Sequence, residues 1–115
     1  MQKYSVSLTE DAENDIAELM AFYEELVDAE SAAKFFDEAM ETVANLESLP
    51  RANAVLKDDP DVRKVQMENH KVAIVYVVDD HRFEVIAVRA YHQMQHPTKY
   101  QEMIRERIRK LHERP

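Results

Sequence analysis

The chain contains no glycine. Loops that cradle phosphate, and the turns of dinucleotide-binding folds, need glycine so that backbone can approach the phosphates. P-loop and Rossmann-type nucleotide enzymes are therefore excluded together. Tight turns must rest instead on Asn, Asp and His, which accept positive φ less readily than glycine. Cysteine is absent too, which removes any disulfide framework and all thiolate chemistry. No apolar run approaches the roughly 20 residues that span a bilayer. The opening Met1-Gln2-Lys3-Tyr4 lacks the apolar core of a secretion signal. These absences lead us to expect a cytoplasmic protein with no membrane association and no cofactor.

Bases are scarce in the first half. Residues 1–50 hold 13 acids against 2 bases, Lys3 and Lys34; residues 51–115 hold 10 acids against 13 bases. The formal net charge of −8 argues against a free nucleic-acid binder, because phosphate contacts supply most of such affinity. What is present suffices for one core: 115 residues, 45% of them apolar, fit a single domain over 1–115.

The periodicity predicts an ordered set of elements. Tyr4, Val6 and Leu8 alternate with Lys3, Ser5 and Ser7, as in a half-buried strand. Thr9 can cap a helix over 10–27, with Glu10, Asp11 and Glu13 at its positive end and Ile16, Leu19, Tyr23 and Leu26 as its apolar stripe. Asp28 can cap a second helix, whose stripe is Ala32, Phe36, Ala39, Val43 and Leu46, ending at Pro50. So short a connection makes the pair an antiparallel hairpin. Residues 51–60 show no period and read as a loop. Val62–Glu68 alternates weakly, Arg63, Val65 and Met67 against Lys64, Gln66 and Glu68. Lys71–Val78 is nearly all apolar, as in a strand covered on both faces. Phe83–His92 forms a longer strand after the turn Asp79-Asp80-His81-Arg82. Pro97 suits the first turn of a last helix over 97–113, with Tyr100, Ile104, Ile108 and Leu111 on one face. The expected architecture is α+β: a helical hairpin packed on a small, mostly antiparallel sheet.

The chemistry-bearing residues gather at the end of the last strand, Arg89-Ala90-Tyr91-His92. Cleavage of RNA through the ribose 2′-OH needs a base, an acid for the leaving oxygen and cations for the phosphate. His92 suits the first or second role by its near-neutral pKa; Tyr91 or Tyr100 can assist; Arg63, Lys71 and Arg89 can hold phosphate. Strand alternation sets Arg89 and Tyr91 on one face and His92 on the other. The ordinary structural role is that His92 caps the sheet and Tyr91 packs beneath a helix. His92 and His96 stand four apart, but Pro97 opens a helix after them and no Asp, Glu or Cys lies nearby, so no metal site is expected. Arg105, Arg107, Arg109, Lys110 and Arg114 read as a solvated face paired with Glu102 and Glu106. The acidic face of the first half can likewise be simply solvated, or can receive a basic segment.

Several strings, in order, resemble the RelE/ParE superfamily of type II toxin–antitoxin toxins. Leu8-Thr9-Glu10-Asp11-Ala12-Glu13-Asn14-Asp15-Ile16 is similar to the family's strand-to-helix opening. Ala32-Ala33-Lys34-Phe35 with Leu46 and Leu49-Pro50 resembles its second helix and stop. Val72–Asp80 resembles its third strand and acidic turn, and Val85–His92 its last strand. After the strand-end His, where family members commonly place Arg, this chain has Gln93, Met94, Gln95 and His96. Only Arg63, Lys71 and Lys64 stand where the RNA-cleaving branch carries several cations. The resemblance therefore implies a ParE-like toxin that inhibits DNA gyrase without enzymatic activity. It would be neutralised by a cognate antitoxin, with DNA contacted only through that antitoxin. Two alternatives follow from the same resemblance. One is a RelE-like, ribosome-dependent mRNA interferase using Arg63, Lys71, Arg89, Tyr91 and His92. The other is a binding module of this fold that is not toxic.

Overall fold

The computed structural model describes residues 3–56 and 58–93. The expected helix over 97–113 and the residues Met94, His96 and Tyr100 lie outside the described residues. The described chain runs β1 (Ser5–Leu8), α1 (Glu10–Leu26), α2 (Ala29–Ala44), two short 3-10 turns (Asn45–Glu47 and Pro50–Ala52), β2 (Ala54–Leu56), β3 (Asp59–Gln66), β4 (Val72–Asp79) and β5 (Glu84–His92).

Both helices begin where their capping residues dictate. The Thr9 hydroxyl accepts from the Ala12 N–H at 3.1 Å, and the Asp28 carboxylate accepts from the Ser31 N–H at 2.8 Å. Each satisfies a first-turn donor that has no partner within the helix. Only Val27 and Asp28 separate the helices, so they pack as an antiparallel hairpin.

The strands lie in the order β1-β5-β4-β3-β2. β1 runs parallel to β5, with Ser5 opposite Glu84 and Leu8 opposite Ala87; every other pair is antiparallel. The hairpin covers one face. There Ala12, Ile16 and Leu19 of α1 and Phe35, Ala39 and Val43 of α2 pack on Met67, Val72, Ile74, Ala87 and Ala90. Val62, Val75, Val77 and Val88 cluster on the opposite face with Leu56, Ile86 and Tyr91. β4 is apolar at seven consecutive positions because both its faces are buried.

Several sequence expectations need correction. The stretch 51–60 is not a loop throughout. It holds β2 and the start of β3, too short and too exposed to show a period. The buried phenylalanine of α2 is Phe35, while Phe36 is exposed; both fit a helical stripe, and the packing of Phe35 against Tyr23 (centroids 5.0 Å apart) decides between them. Leu26 is exposed because α1 ends there. Among the described residues the positive-φ positions are Leu49 (54°) and Phe83 (52°), not Asn, Asp or His. Phe83 is held in place by an edge-on contact with the Tyr4 ring (5.6 Å) and by its carbonyl, which accepts from the Ser5 N–H.

Candidate functional site

At one end of the sheet, the turn between β3 and β4 meets the end of β5. Val72 lies opposite His92 and Ala73 opposite Tyr91, and the Lys71 carbonyl accepts from the Gln93 N–H at 2.8 Å. Lys71, Tyr91 and His92 therefore share this end. The Gln66 amide donates to the His70 carbonyl at 3.1 Å, and the Gln93 side chain donates to Gln66 Oε1, tying the turn to the strand end. The His92 ring lies 6.1 Å from Phe22 of α1, on the hairpin side. Tyr91 packs on the opposite face with Val62, Val75, Val77 and Val88.

A second histidine, not singled out in the sequence, sits beside this end. His70 Nδ1 is 3.0 Å from Glu38 Oε2, while Glu38 Oε1 accepts from the Asn69 N–H at 2.8 Å. The rings of Tyr23 and Phe35 lie edge-on to the imidazole at 5.2 and 5.4 Å. Burial pushes the Glu38 carboxyl up, but the Asn69 N–H and His70 outweigh it and hold the group below its ordinary value. A carboxylate orienting an imidazole is an arrangement that proton transfer uses. Here it also fastens the β3–β4 turn to α2. Glu38 flanks the buried positions Phe35 and Ala39, and an acid at the margin of an apolar stripe was the available signal.

Arg89 is drawn away from the strand end. The register shifts between Val75 and Tyr76: Val75 faces Arg89 and Tyr76 faces Ala87, which leaves Val88 as an extra residue. This bulge lies before Arg89; from Arg89 to His92 the pairing with Val75 to Val72 is regular, so the alternation that sets Arg89 and Tyr91 on one face is kept along the backbone. The guanidinium goes instead to Asp15 of α1. Nη2 donates to Asp15 Oδ1 at 2.9 Å, and Nε lies 2.7 Å from Oδ2 without the alignment of a hydrogen bond. Asp15 Oδ2 also accepts from the Ala90 N–H at 2.9 Å. Burial pushes the Asp15 carboxyl above its ordinary value, while Ala90 N–H and Arg89 pull against that rise. The carboxylate caps β5 just where β1 has ended, at Leu8 opposite Ala87. Thr9 completes this junction, donating to the Val88 carbonyl at 3.2 Å.

Arg63 is remote from the strand end. It lies opposite Tyr76, four positions along β4 from Val72, or about 13 Å at the usual rise. Its guanidinium donates to the carbonyls of Arg51, Asn53 and Pro60, each at 3.0 Å. Arg51 beside it pairs with Asp61 (2.7 Å) and Asp80 (2.8 Å). These arginines fasten the segment before β3 to the sheet. Among the described residues no cluster of ligands that could hold a metal ion occurs, and no helix is long and apolar enough to cross a membrane.

A profile of known sequences aligns to residues 6–97, over β1 through β5 and beyond, and its description is ParE toxin of type II toxin-antitoxin system, parDE. The chain belongs to the ParE toxin family. Solved structures show the same fold at low identity. The chromosomal ParDE system from P. aeruginosa superimposes with a TM-score of 0.69 at 20% identity, covering 80% of this chain and 98% of that one. A mutant of the E. coli toxin RelE in the free state matches at 0.62 and 18% identity, covering 90% and 97%. The intact E. coli RelBE toxin-antitoxin complex matches at 0.55 and 19%, covering 80% and 99%. No curated protein matches the sequence. This ParE-family chain thus carries the α+β architecture of both ParE and RelE toxins. Of its five candidate residues, it gathers Lys71, Tyr91 and His92 and places Arg63 and Arg89 in other networks.

Proposed function

We propose that this ParE-family toxin acts as an inhibitor that binds its target, with DNA gyrase as that target, in the cytoplasm. In this reading it is neutralised by a cognate antitoxin, as the toxins in the ParDE and RelBE assemblies are partnered. One observation carries the preference for binding over catalysis: the Arg89 guanidinium is held by Asp15. A phosphate-holding cation must be able to release its partner, and a buried ion pair resists that. With Arg63 bonded to three carbonyls at the other end, the strand end presents Lys71 as its cation among the candidates.

The second reading, an interferase, rests on Lys71, Tyr91 and His92 meeting at one end. The two separate in parallel assays. A purified chain that inhibits DNA supercoiling by gyrase and leaves mRNA intact in a translating extract supports the inhibitor. Cleavage of mRNA that His92→Ala abolishes supports the interferase. If neither effect occurs and expression leaves growth unharmed, the chain is a non-toxic module of the same fold.

A further inference from the structure

Leu49 and Phe83 are the described residues with left-handed backbone, and both expose their side chains, Leu49 by 60% and Phe83 by 42%. Asn or glycine adopts that backbone more readily. Each position therefore carries strain and, in addition, an apolar group in water. Single exposed apolar residues are ordinary on a protein surface, but backbone strain of this kind clusters at functional sites.

The two positions meet at one end of the sheet, opposite to the end where His92 closes β5. Tyr4 joins them. Its ring lies 5.6 Å from that of Phe83, and its N–H donates to the Glu47 carbonyl at 2.9 Å. Its hydroxyl donates to Asp80 at 2.7 Å, on the carboxylate that also accepts from Arg51 Nε. Leu49 is two residues from Glu47 and two from Arg51, so it sits within about 7 Å of both backbones. Leu49, half-buried Tyr4 and Phe83 thus form one apolar rim.

Most charges on this rim are already engaged. Lys3 pairs with Glu47 at 3.5 Å, and Arg51 with Asp61 and Asp80. Asp79 accepts from the His81 and Arg82 N–H groups at 3.0 and 3.1 Å. Arg82 and Glu84 flank Phe83 in the chain, and among the described residues neither side chain has a partner. Arg82 is exposed and Glu84 partly so. One unpaired base and one unpaired acid, on either side of an exposed ring, form a patch whose charges complement a rotated copy of itself.

We propose that the rim is a two-fold contact between copies of this chain. Phe83 of each copy packs on Leu49 of the other, and Arg82 of each pairs with Glu84 of the other. The acidic helical hairpin cannot serve in this way, because like charges would meet. The chain's own residues 97–113 fit the rim poorly: they hold five bases against three acids, which sets bases against Arg82. They also follow the far end of β5, about 27 Å from Glu84 at the usual rise. The contact stands apart from the toxin reading and holds with or without it.

Sedimentation velocity of the full chain over a range of concentrations tests the proposal. A shift from monomer to dimer is expected with a Kd of about 10–100 μM, as suits a small interface. Phe83→Asp should weaken association about tenfold or more. Leu49→Gly should weaken it too while leaving the monomer no less stable, an outcome that a merely structural role for Leu49 would not produce. Arg82→Glu and Glu84→Arg should each weaken the dimer several-fold, and the doubly exchanged variant should recover it. Circular dichroism checks that each variant is folded. A chain that stays monomeric throughout, as it would if its own tail or another protein covered the rim, overturns the proposal. So does a dimer that Phe83→Asp leaves unchanged, or a doubly exchanged variant no tighter than the single ones.

Discussion

Leu49 and Phe83 hold left-handed backbone without the freedom of glycine, and a residue with a Cβ loses roughly 1–2 kcal/mol there. Leu49 is 60% exposed, so its side chain contributes little burial to offset that loss. Leu49→Gly is expected to raise stability by roughly 0.5–1 kcal/mol, net of the freer unfolded chain, seen as a higher midpoint in urea. An unchanged or lower midpoint would mean that the strain is relieved in another way. Asp15 and Arg89 illustrate the opposite case, a pair that is costly to break. Asp15→Ala leaves a buried guanidinium without its partner and should cost about 3–5 kcal/mol. Replacing both, Asp15→Leu with Arg89→Met, should recover much of this loss, and a double-mutant cycle measures how much. Asp15 could not be read as the partner of Arg89 from the sequence, because 74 residues separate them and an ion pair between a helix and a strand leaves no mark in a strand's apolar pattern.

The helices and the two long hairpin strands were legible because each carries a strong local signal. Thr9 and Asp28 stand directly before amphipathic runs, and Val72–Asp79 is apolar enough to declare itself central. β2 was not legible: three residues at a sheet edge neither alternate nor bury. The choice between Phe35 and Phe36 needed the neighbouring helix. Thr9 shows how one residue serves two elements, accepting from Ala12 N–H and donating to the Val88 carbonyl. Thr9→Ala should cost about 1–2 kcal/mol, the loss of a cap together with a tertiary hydrogen bond. Thr9→Asp should keep the cap and lose the donation, so thermal melts should place it between the wild type and the alanine variant. Equal losses would mean that the Val88 contact contributes nothing.

For the molecule as a whole, pH sorts its carboxyls into two groups. Asp28, held by the Ser31 N–H, and Asp80, held by the Tyr4 hydroxyl and Arg51, lie below the ordinary carboxylate value. Glu38 joins them despite its burial. A carboxyl lowered on folding contributes stability that is full above the unfolded value, about 4, and is lost as pH falls through the lowered one. Asp15 works in the opposite sense: raised by burial, it favours the fold more as it takes up its proton, so its contribution declines as pH rises through the window above 4. Urea unfolding followed from pH 7 downward should therefore show stability falling below about pH 4. Glu38→Gln should flatten that fall, and an unaltered acid limb would exclude Glu38 as a contributor. The location of the candidate site was legible in part. The end of the last strand could be named from its residues, but the contact of Arg89 with Asp15 and the entry of His70 and Glu38 depend on contacts across the whole fold.

The pairing of Ser5 with Glu84 has a consequence for how the chain is made. β1 leaves the ribosome first, and among the described strands its neighbour in the sheet is β5, which emerges last of them. At the usual 5–20 residues per second the wait is roughly 4–16 s, and closing so long a loop also slows folding of the released chain. The sheet cannot be completed until nearly every described residue has been synthesised. A truncated translation product ending before residue 84 would leave β1 without a neighbour and so lack the finished platform.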